Sequence, residues 1–401
     1  MTTRHANIKD KNIVYIDNDE ALRTLCQDWQ DQEWLAVDTE FIRERTYYPQ
    51  VCLIQIATES DIALIDPLTI GALNPLLDLL AQPHIVKVVH AGHQDLEIFY
   101  HLGGRVPAPV FDTQLAAPLL GLPPQCAYAA LVSSLLGVHL EKQHARADWR
   151  KRPLPQSWLA YAADDVRYLG HVYLLMRDDL AQRQRLSWLD DDFDRLVSSS
   201  RYDNPPAEAW RRIKGGHRLR GASQSLFRAL AQWREEQASS TDIPRQWLLR
   251  DETLIDIARQ KPGDEDTLAD IRGINPEFMK RYGAQILTVL ADARRQPAPA
   301  TAATAASRSR LEPGQEALVD ALLAVVSLCA ARNKLHPSLL ASRKDIESFV
   351  RGDRDVGFLS GWRRPLVGDT ILAIMAGEQV LEIDDGQLVL VEAGTAKHVR
   401  R

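Results

Sequence analysis

Asp38 and Glu40 stand two residues apart in the segment Trp34–Phe41, WLAVDTEF. The four apolar-type residues before Asp38 suggest a buried strand, and the two-residue repeat of a strand puts positions 38 and 40 on one face. Two carboxylates side by side at a strand end are costly unless a cation meets them, and oxygen-only ligation is what Mg2+ or Mn2+ prefers. Alone, D-x-E is common, and a solvated strand end accounts for it as well. Asp95 lies in VVHAGHQDLEIF, where a strand ends at His90 and a helix opens. An acid in a first helical turn is favoured by the helix dipole, which by itself explains the residue. His90 and His93 lack the cysteine or spaced histidine partners of a zinc site. Tyr161 and Asp165 in SWLAYAADDVRYL are four apart and share a helix face. Leu159, Ala162, Ala163, Val166 and Leu169 form an apolar flank that would press this pair toward a sheet, with Asp164 turned to solvent. The plainer alternatives are an exposed acid and a core aromatic.

The elements that must position these residues read as α/β over the first half. Trp34–Phe41, Val51–Ala57, Asp61–Asp66 and Ile85–His90 are short, apolar and β-rich. The turn at Glu59-Ser60-Asp61 is short enough for a hairpin, so the sheet contains antiparallel neighbours and is mixed. Helical periodicity covers Leu73–Leu80, Gln94–Leu102, Thr113–Leu120 and Pro155–Leu180. Beyond about residue 185 the pattern is all-helical, with Asn204-Pro205-Pro206 marking a boundary. Gly221–Gln237, Asp251–Arg259, Glu265–Ile271 and Pro276–Ala293 are amphipathic. An Ala/Pro/Thr/Ser segment then reads as a linker. A second helical block runs from Gln315 to about Gly377, and Val380–Val391 carries an Asp-Gly turn between two alternating runs, a small hairpin. The expected organisation is a catalytic domain over 1–205, a helical domain over 206–296, a linker over 297–314 and a second helical domain over 315–395. With Pro244 preceding Arg250-Asp251, and Pro337 preceding Arg343 and Asp345, the two blocks read as a divergent repeat.

A chain of 401 residues exceeds one ordinary core and implies two to three domains. No apolar run reads as long enough to span a bilayer, and the polar stretch Met1–Asn12 lacks the apolar centre of a signal peptide. A cytoplasmic protein with no membrane partner is expected. Cys26, Cys52, Cys126 and Cys329 are scattered, which points neither to zinc nor to a disulfide framework. The net charge of −6 runs against a uniformly basic nucleic-acid binder, although local patches decide more than the sum. Trp210–Arg220, WRRIKGGHRLR, has five Arg/Lys and no acid; it is a strip for phosphates or a linker with solvated charge. No heptads appear, so a monomer is expected.

Taken together, Asp38, Glu40, Asp95 and Asp165 come in the order strand, strand, helix start, helix, with a tyrosine one turn before the last acid. This resembles the DEDD exonuclease superfamily, in its tyrosine subgroup. The likeness spans about residues 12–185 and extends to VCLIQIAT, to FDTQLAA at 111–117 and to DWRKRPL, segments similar to the ribonuclease D family. The resemblance implies a ribonuclease H-like catalytic domain, a mixed central sheet flanked by helices, that trims RNA 3′ ends in the 3′→5′ direction. Its substrates would be tRNA precursors with 3′ trailers. It also implies two divalent ions, Mg2+ or Mn2+, held by Asp38, Glu40, Asp95 and Asp165, with nucleoside 5′-monophosphates as products. Tyr161 would orient or deprotonate the attacking water, and a free tyrosine pKa near ~10 favours orienting. Phe41 would stack on the terminal base or simply fill the core. Arg146, Arg150, Lys151 and Arg152 would meet phosphates or form a solvated loop. Residues 219–293 resemble the HRDC domain, and the block after Gln315 is similar but degenerate. The expectation is therefore two all-α HRDC-like domains that grip nucleic acid. The competing readings are a DNA 3′→5′ exonuclease of the repair type, since nothing in the sequence identifies a 2′-hydroxyl contact, and a non-catalytic nucleic-acid-binding protein.

Overall fold

The computed structural model describes residues 11–141, 147–295 and 311–394; Arg146 and residues 297–310 of the linker segment lie outside the described residues. Six strands form one mixed sheet: β1 (Asn12–Ile16), β2 (Trp34–Ile42), β3 (Gln50–Ala57), β4 (Asp61–Ile65), β5 (Val86–Val89) and β6 (Val110–Asp112). Their order is β1-β4-β3-β2-β5-β6. β3 runs antiparallel to both β2 and β4, and the pairs β1–β4, β2–β5 and β5–β6 are parallel. The predicted hairpin joins β3 to β4, closed by Thr58 N donating to Asp61 O at 2.9 Å. β1 and β6 add to the strands read from the sequence.

β2 is the strand that matters most, because it is paired on both edges and buried on both faces. Leu35 and Val37 point into one apolar layer with Leu22, Leu76, Leu96 and Phe99. Trp34 and Ala36 point into the other with Ala162, Ala163, Val166 and Val172. This alternation is the two-residue repeat of a strand with a helix layer on each side. The helix His93–Gly103 lies on the first face. On the second face the single helix predicted for 155–180 is two, Gln156–Arg167 and Leu169–Gln182, separated at Tyr168 with φ −96° and ψ −16°. Just past the break Gly170 packs on Trp34: a Cβ there would lie 2.0 Å from the indole ring, so only glycine fits.

The remainder is helical apart from a terminal hairpin. The helices Gly221–Ser240, Arg245–Leu248 and Asp251–Gln260 recur as Pro313–Arg332, Pro337–Leu340 and Arg343–Val350. The starts 221 and 313, 245 and 337, 251 and 343 are each 92 apart, the repeat that the two proline positions announced. Each block docks on the sheet domain. The first receives Tyr47 and Tyr48 into its core. The second shares a core with Leu119 and Leu189, and Trp362 stacks on Trp188 with ring centres 4.5 Å apart and 4° between planes. Contrary to the expectation from the sequence, Pro313–Arg332 is long and apolar enough, by length and composition, to cross a membrane. Its Val319, Leu322, Val325, Val326 and Cys329 are instead buried in that shared core. The hairpin Gln379–Asp384 and Gln387–Glu392 turns at Asp385 and Gly386, both at positive φ (48° and 74°), the turn that Asp-Gly favours.

Candidate active site

Asp38 and Glu40 project from β2 on the same side as Trp34 and Ala36, toward the helix Gln156–Arg167. That helix presents Tyr161 and Asp165 one turn apart, and its Ala162, Ala163 and Val166 are fully buried against the sheet. Small side chains at those positions let the helix approach closely. Asp95 comes from the opposite face, in the first turn of His93–Gly103. It reaches β2 through Thr39, whose Oγ1 donates to Asp95 Oδ1 at 2.5 Å. Thus one strand carries acids on one face and the hydroxyl that fixes another acid on the other.

The loop leading to Asp95 is tightly determined. Asp112 at the end of β6 accepts from the backbone N–H groups of Ala91 at 3.1 Å and Gly92 at 3.0 Å. Ala91 sits at φ 56°, and a Cβ on Gly92 would lie 2.5 Å from Val89 Cγ2. The position therefore demands glycine, and the carboxylate of Asp112 replaces the partners the turning backbone gives up. His90 is held beside this loop by Thr113 Oγ1 at 2.9 Å and Cys126 O at 3.0 Å. Burial lowers its pKa, and both ring nitrogens are taken up by structural partners.

The electrostatics are those of crowded, buried acid. Asp95 is 7% exposed, and Asp38, Glu40 and Asp165 are partly buried. Burial is the largest cause of the rise at each carboxyl, lifting Glu40 to about 8, Asp165 to about 7 and Asp95 to about 6, with Asp38 raised well above its usual range. The charges of Asp95, Asp165 and Glu40 add to the rise at Asp38, so the four acids share one electrostatic site. Among the described residues no lysine or arginine stands among the main causes of the shift at any of the four. Among the described residues no group of three or more His, Cys, Asp or Glu side chains is already arranged to hold a metal ion. Buried oxygen-only donors that crowd one another's charge fit hard divalent ions. Tyr161 donates its hydroxyl to Asp165, and burial together with the charges of Asp165, Glu40 and Asp38 raises its own pKa. It keeps its proton at neutral pH.

Three supporting features escaped the sequence reading. Thr39 hides between the two acids, and only the packing of the Asp95 helix gives it a role. Tyr128 is close enough to Asp38 and Asp165 for their charges to raise its pKa, and its hydroxyl donates to Asp164 O at 3.2 Å. Arg43 forms a two-pronged ion pair with Glu97, at 2.9 and 3.0 Å, tying the end of β2 to the Asp95 helix.

Phe41 follows Glu40 at a β-bulge, where the register jumps from Glu40–Leu53 to Phe41–Val51 and leaves Cys52 unopposed. Phe41 is partly buried and packs into none of the three apolar clusters of the described residues. Lys151 and Arg150 are exposed, with Arg150 bound to Asp148 at 2.8 Å. Arg152 has a different job from the phosphate contact read above. Its Nε and Nη2 bind Asp66 at 2.5 and 2.6 Å, and Nη2 also donates to the carbonyl of the bulge residue Cys52 at 2.7 Å. It is a structural cation that satisfies a buried acid and a backbone oxygen released by the bulge.

Comparison with known proteins decides the family. Residues 13–181 match the 3′-5′ exonuclease family model and residues 223–290 match the HRDC domain model. The chain is 38% identical over 401 residues to ribonuclease D of Granulibacter bethesdensis, covering 98% of this chain and 100% of that one. The chain belongs to the ribonuclease D family. A second ribonuclease D, from Acidiphilium cryptum, is 39% identical over 375 residues, with 92% and 94% of the two chains covered. The crystal structure of Escherichia coli ribonuclease D, described as an exoribonuclease involved in structured RNA processing, superposes with a TM-score of 0.77 at 31% identity, covering 91% of this chain and 99% of that chain. As a ribonuclease D the chain is a hydrolase, a 3′→5′ exoribonuclease with an HRDC domain.

Proposed function

We propose that this ribonuclease D trims the 3′ ends of RNA, tRNA precursors with 3′ trailers among them, by two-metal hydrolysis that releases nucleoside 5′-monophosphates. The observation that carries this reading is the convergence of Asp38, Glu40, Asp95 and Asp165 at the end of β2, each carboxyl raised chiefly by burial and, among the described residues, with no lysine or arginine among the main causes. Mg2+ or Mn2+ held by those four acids would supply the missing positive charge, lower the pKa of the attacking water and stabilise the leaving 3′ oxygen. Asp38 feels the charges of the other three acids and would be among the residues that hold the ions. Tyr161, still protonated, orients Asp165 and offers a hydroxyl dipole for the water. Phe41, at the bulge and outside the core, stacks on the terminal base, as aromatic platforms do for single strands. Arg150 and Lys151 are exposed to meet the phosphate backbone.

The helical modules supply grip. In the first, a cavity of about 740 Å³ is lined by Trp247, Arg250, Phe278, Arg281 and Tyr282. Trp247 is 63% exposed, an unusual position for that side chain in a free surface and one suited to stacking on an unpaired base. The second module repeats its first three helices and serves the same end. Four free, buried cysteines suit a reducing, cytoplasmic setting, and we take the protein to act there as a monomer.

The test is cleavage of 5′-labelled RNA and DNA of matched sequence, as single strands and as hairpins with 3′ tails, with Mg2+ and then EDTA. Metal-dependent shortening from the 3′ end, faster on RNA and stalling at the stem, is expected. Faster shortening of DNA would move the enzyme to the repair-exonuclease class, and no cleavage with any divalent ion would leave a nucleic-acid-binding protein.

A further inference from the structure

We propose that Asp242, which belongs to the first helical module, is a positioning residue for hydrolysis. It anchors the segment that follows Glu40 and through it fixes how β2 faces the Asp95 helix. The inference rests on the exoribonuclease reading and adds to it a reason why the helical module is joined to the catalytic domain where it is.

Asp242 lies just past the helix Gly221–Ser240, in the left-handed region at φ 50°. Few residues other than Gly, Asn and Asp tolerate that conformation. Its Oδ1 accepts from two backbone N–H groups of the catalytic domain, those of Tyr47 and Tyr48, each at 3.0 Å. Tyr47 is then held at its far end: its hydroxyl donates to Glu235 Oε1 at 2.6 Å, and Arg245 binds the same Glu235 with two contacts of 2.6 Å. The Arg245 guanidinium lies 4.4 Å from the Tyr47 ring centre. Tyr48 packs edge-on against His101, with ring centres 4.8 Å apart.

The same segment reaches back into the active site. Arg43, three residues beyond Glu40, holds Glu97 with two guanidinium nitrogens, and one of them also meets Tyr47 O at 3.4 Å. Glu97 is two residues beyond Asp95 on one helix, and His101 is a turn further. A continuous set of contacts therefore runs from Asp242 through the backbone of Tyr47 and Tyr48, through Arg43 and Glu97, to the element that carries Asp95. Glu40 and Asp95 arrive from separate elements on opposite faces of β2. Beside the Thr39–Asp95 bond, the Arg43–Glu97 pair is a second bridge across that gap, and Asp242 fixes its outer end. Catalysis by positioned ligands is sensitive to shifts of about 1 Å, which cost on the order of a hundredfold in rate. This anchor is thus a kinetic feature as well as a domain contact.

The experiment compares Asp242→Gly, which suits the positive φ but removes the acceptor, with Asp242→Asn, which keeps both. The substrates are the p-nitrophenyl ester of uridine 5′-monophosphate, a single nucleotide, and a 3′-tailed RNA hairpin, with the full-length enzyme in Mg2+. Asp242→Gly is expected to lower kcat on the single-nucleotide ester about tenfold with KM little changed, and Asp242→Asn to restore it. Arg43→Gln should produce a similar loss, and the double variant no further loss, because the two act along one route. Full kcat on the ester in Asp242→Gly, with weaker binding of the hairpin, would make Asp242 a docking residue only and overturn the proposal. Equal loss in the Gly and Asn variants, or additive losses with Arg43→Gln, would overturn it too. Wild-type enzyme inert on both substrates would remove the nuclease reading and this proposal together.

Discussion

Thr39 donates its hydroxyl to Asp95 Oδ1 at 2.5 Å, and this bond is what brings an acid from one face of β2 into a site whose other acids lie on the opposite face. It opposes the effect of burial on Asp95, holding the carboxyl pKa down near 6.

Removing that donor should therefore act through pH. In Thr39→Val the Asp95 pKa rises above about 6, and because ligation requires the ionised carboxylate, Mg2+ affinity should fall more at pH 6.5 than at pH 8.5. A hydrogen bond to a charged group is worth about 1.5–3 kcal/mol, so the loss at the lower pH should be tenfold or more. Thr39→Ser should behave as wild type. Calorimetric titration at the two pH values measures it; a loss of equal size at both would mean that the bond sets geometry and leaves the titration untouched.

The raised carboxyls carry a stability consequence in metal-free protein. Glu40 titrates at about 8 against an ordinary 4.5, and Asp165 at about 7 against 3.8. Between about pH 4 and 8 the folded state then binds more protons than the unfolded state, so stability falls as pH rises through that window. Asp165→Asn removes one of the charges. In EDTA it should melt several degrees above wild type at pH 8.5 and close to wild type at pH 4.5. Saturating Mg2+ should raise the wild type more than the variant, by ordinary ligand linkage. Scanning calorimetry decides it, and coincident melting curves at pH 8.5 in EDTA would show that the acids are already compensated.

What was legible in the sequence divides along the reach of local patterns. Asp38 and Glu40 were readable from the strand repeat, and Tyr161 and Asp165 from helical spacing, because both rules act within five residues. The β3–β4 hairpin followed from a turn too short for anything else. β6 has three residues, too few to show a period. The helix break at Tyr168 has no proline beside it, and only the fold shows Gly170 packed on Trp34 just past it. Arg152 looked like one more member of a basic run, since its partner Asp66 lies 86 residues away. The role of Thr39 was equally invisible, because it depends on a helix docking from the other side of the sheet.

Arg152 and Lys151 should separate cleanly on mutation. Asp66 is 1% exposed, and breaking a buried pair from one side costs about 3–5 kcal/mol. Arg152→Ala should lower the melting temperature markedly, with lost activity tracking lost fold. Lys151→Ala should leave melting unchanged, raise KM for RNA and reduce the salt dependence of binding by about one phosphate contact. Melting curves beside a salt titration of RNA binding test both. An Arg152→Ala protein as stable as wild type, with weaker RNA binding, would return that residue to the substrate.

Tyr161 provides the sharpest mechanistic distinction. Its hydroxyl is pushed upward by burial and by the charges of Asp165, Glu40 and Asp38, and it already donates to Asp165. A group that holds its proton so firmly orients water and does not remove a proton from it. Tyr161→Phe should therefore lower kcat about tenfold, the worth of one hydrogen bond to a charged group, with KM little altered because the contact matters chiefly in the transition state. The dependence of kcat on pH between 6 and 9 should keep its shape, since the titrating groups are the carboxylates and the bound water. If Tyr161 were the base, a limb of the wild-type profile would belong to it and would vanish in the variant. A full pH–rate profile of wild type and Tyr161→Phe on a short single-stranded RNA distinguishes the two roles.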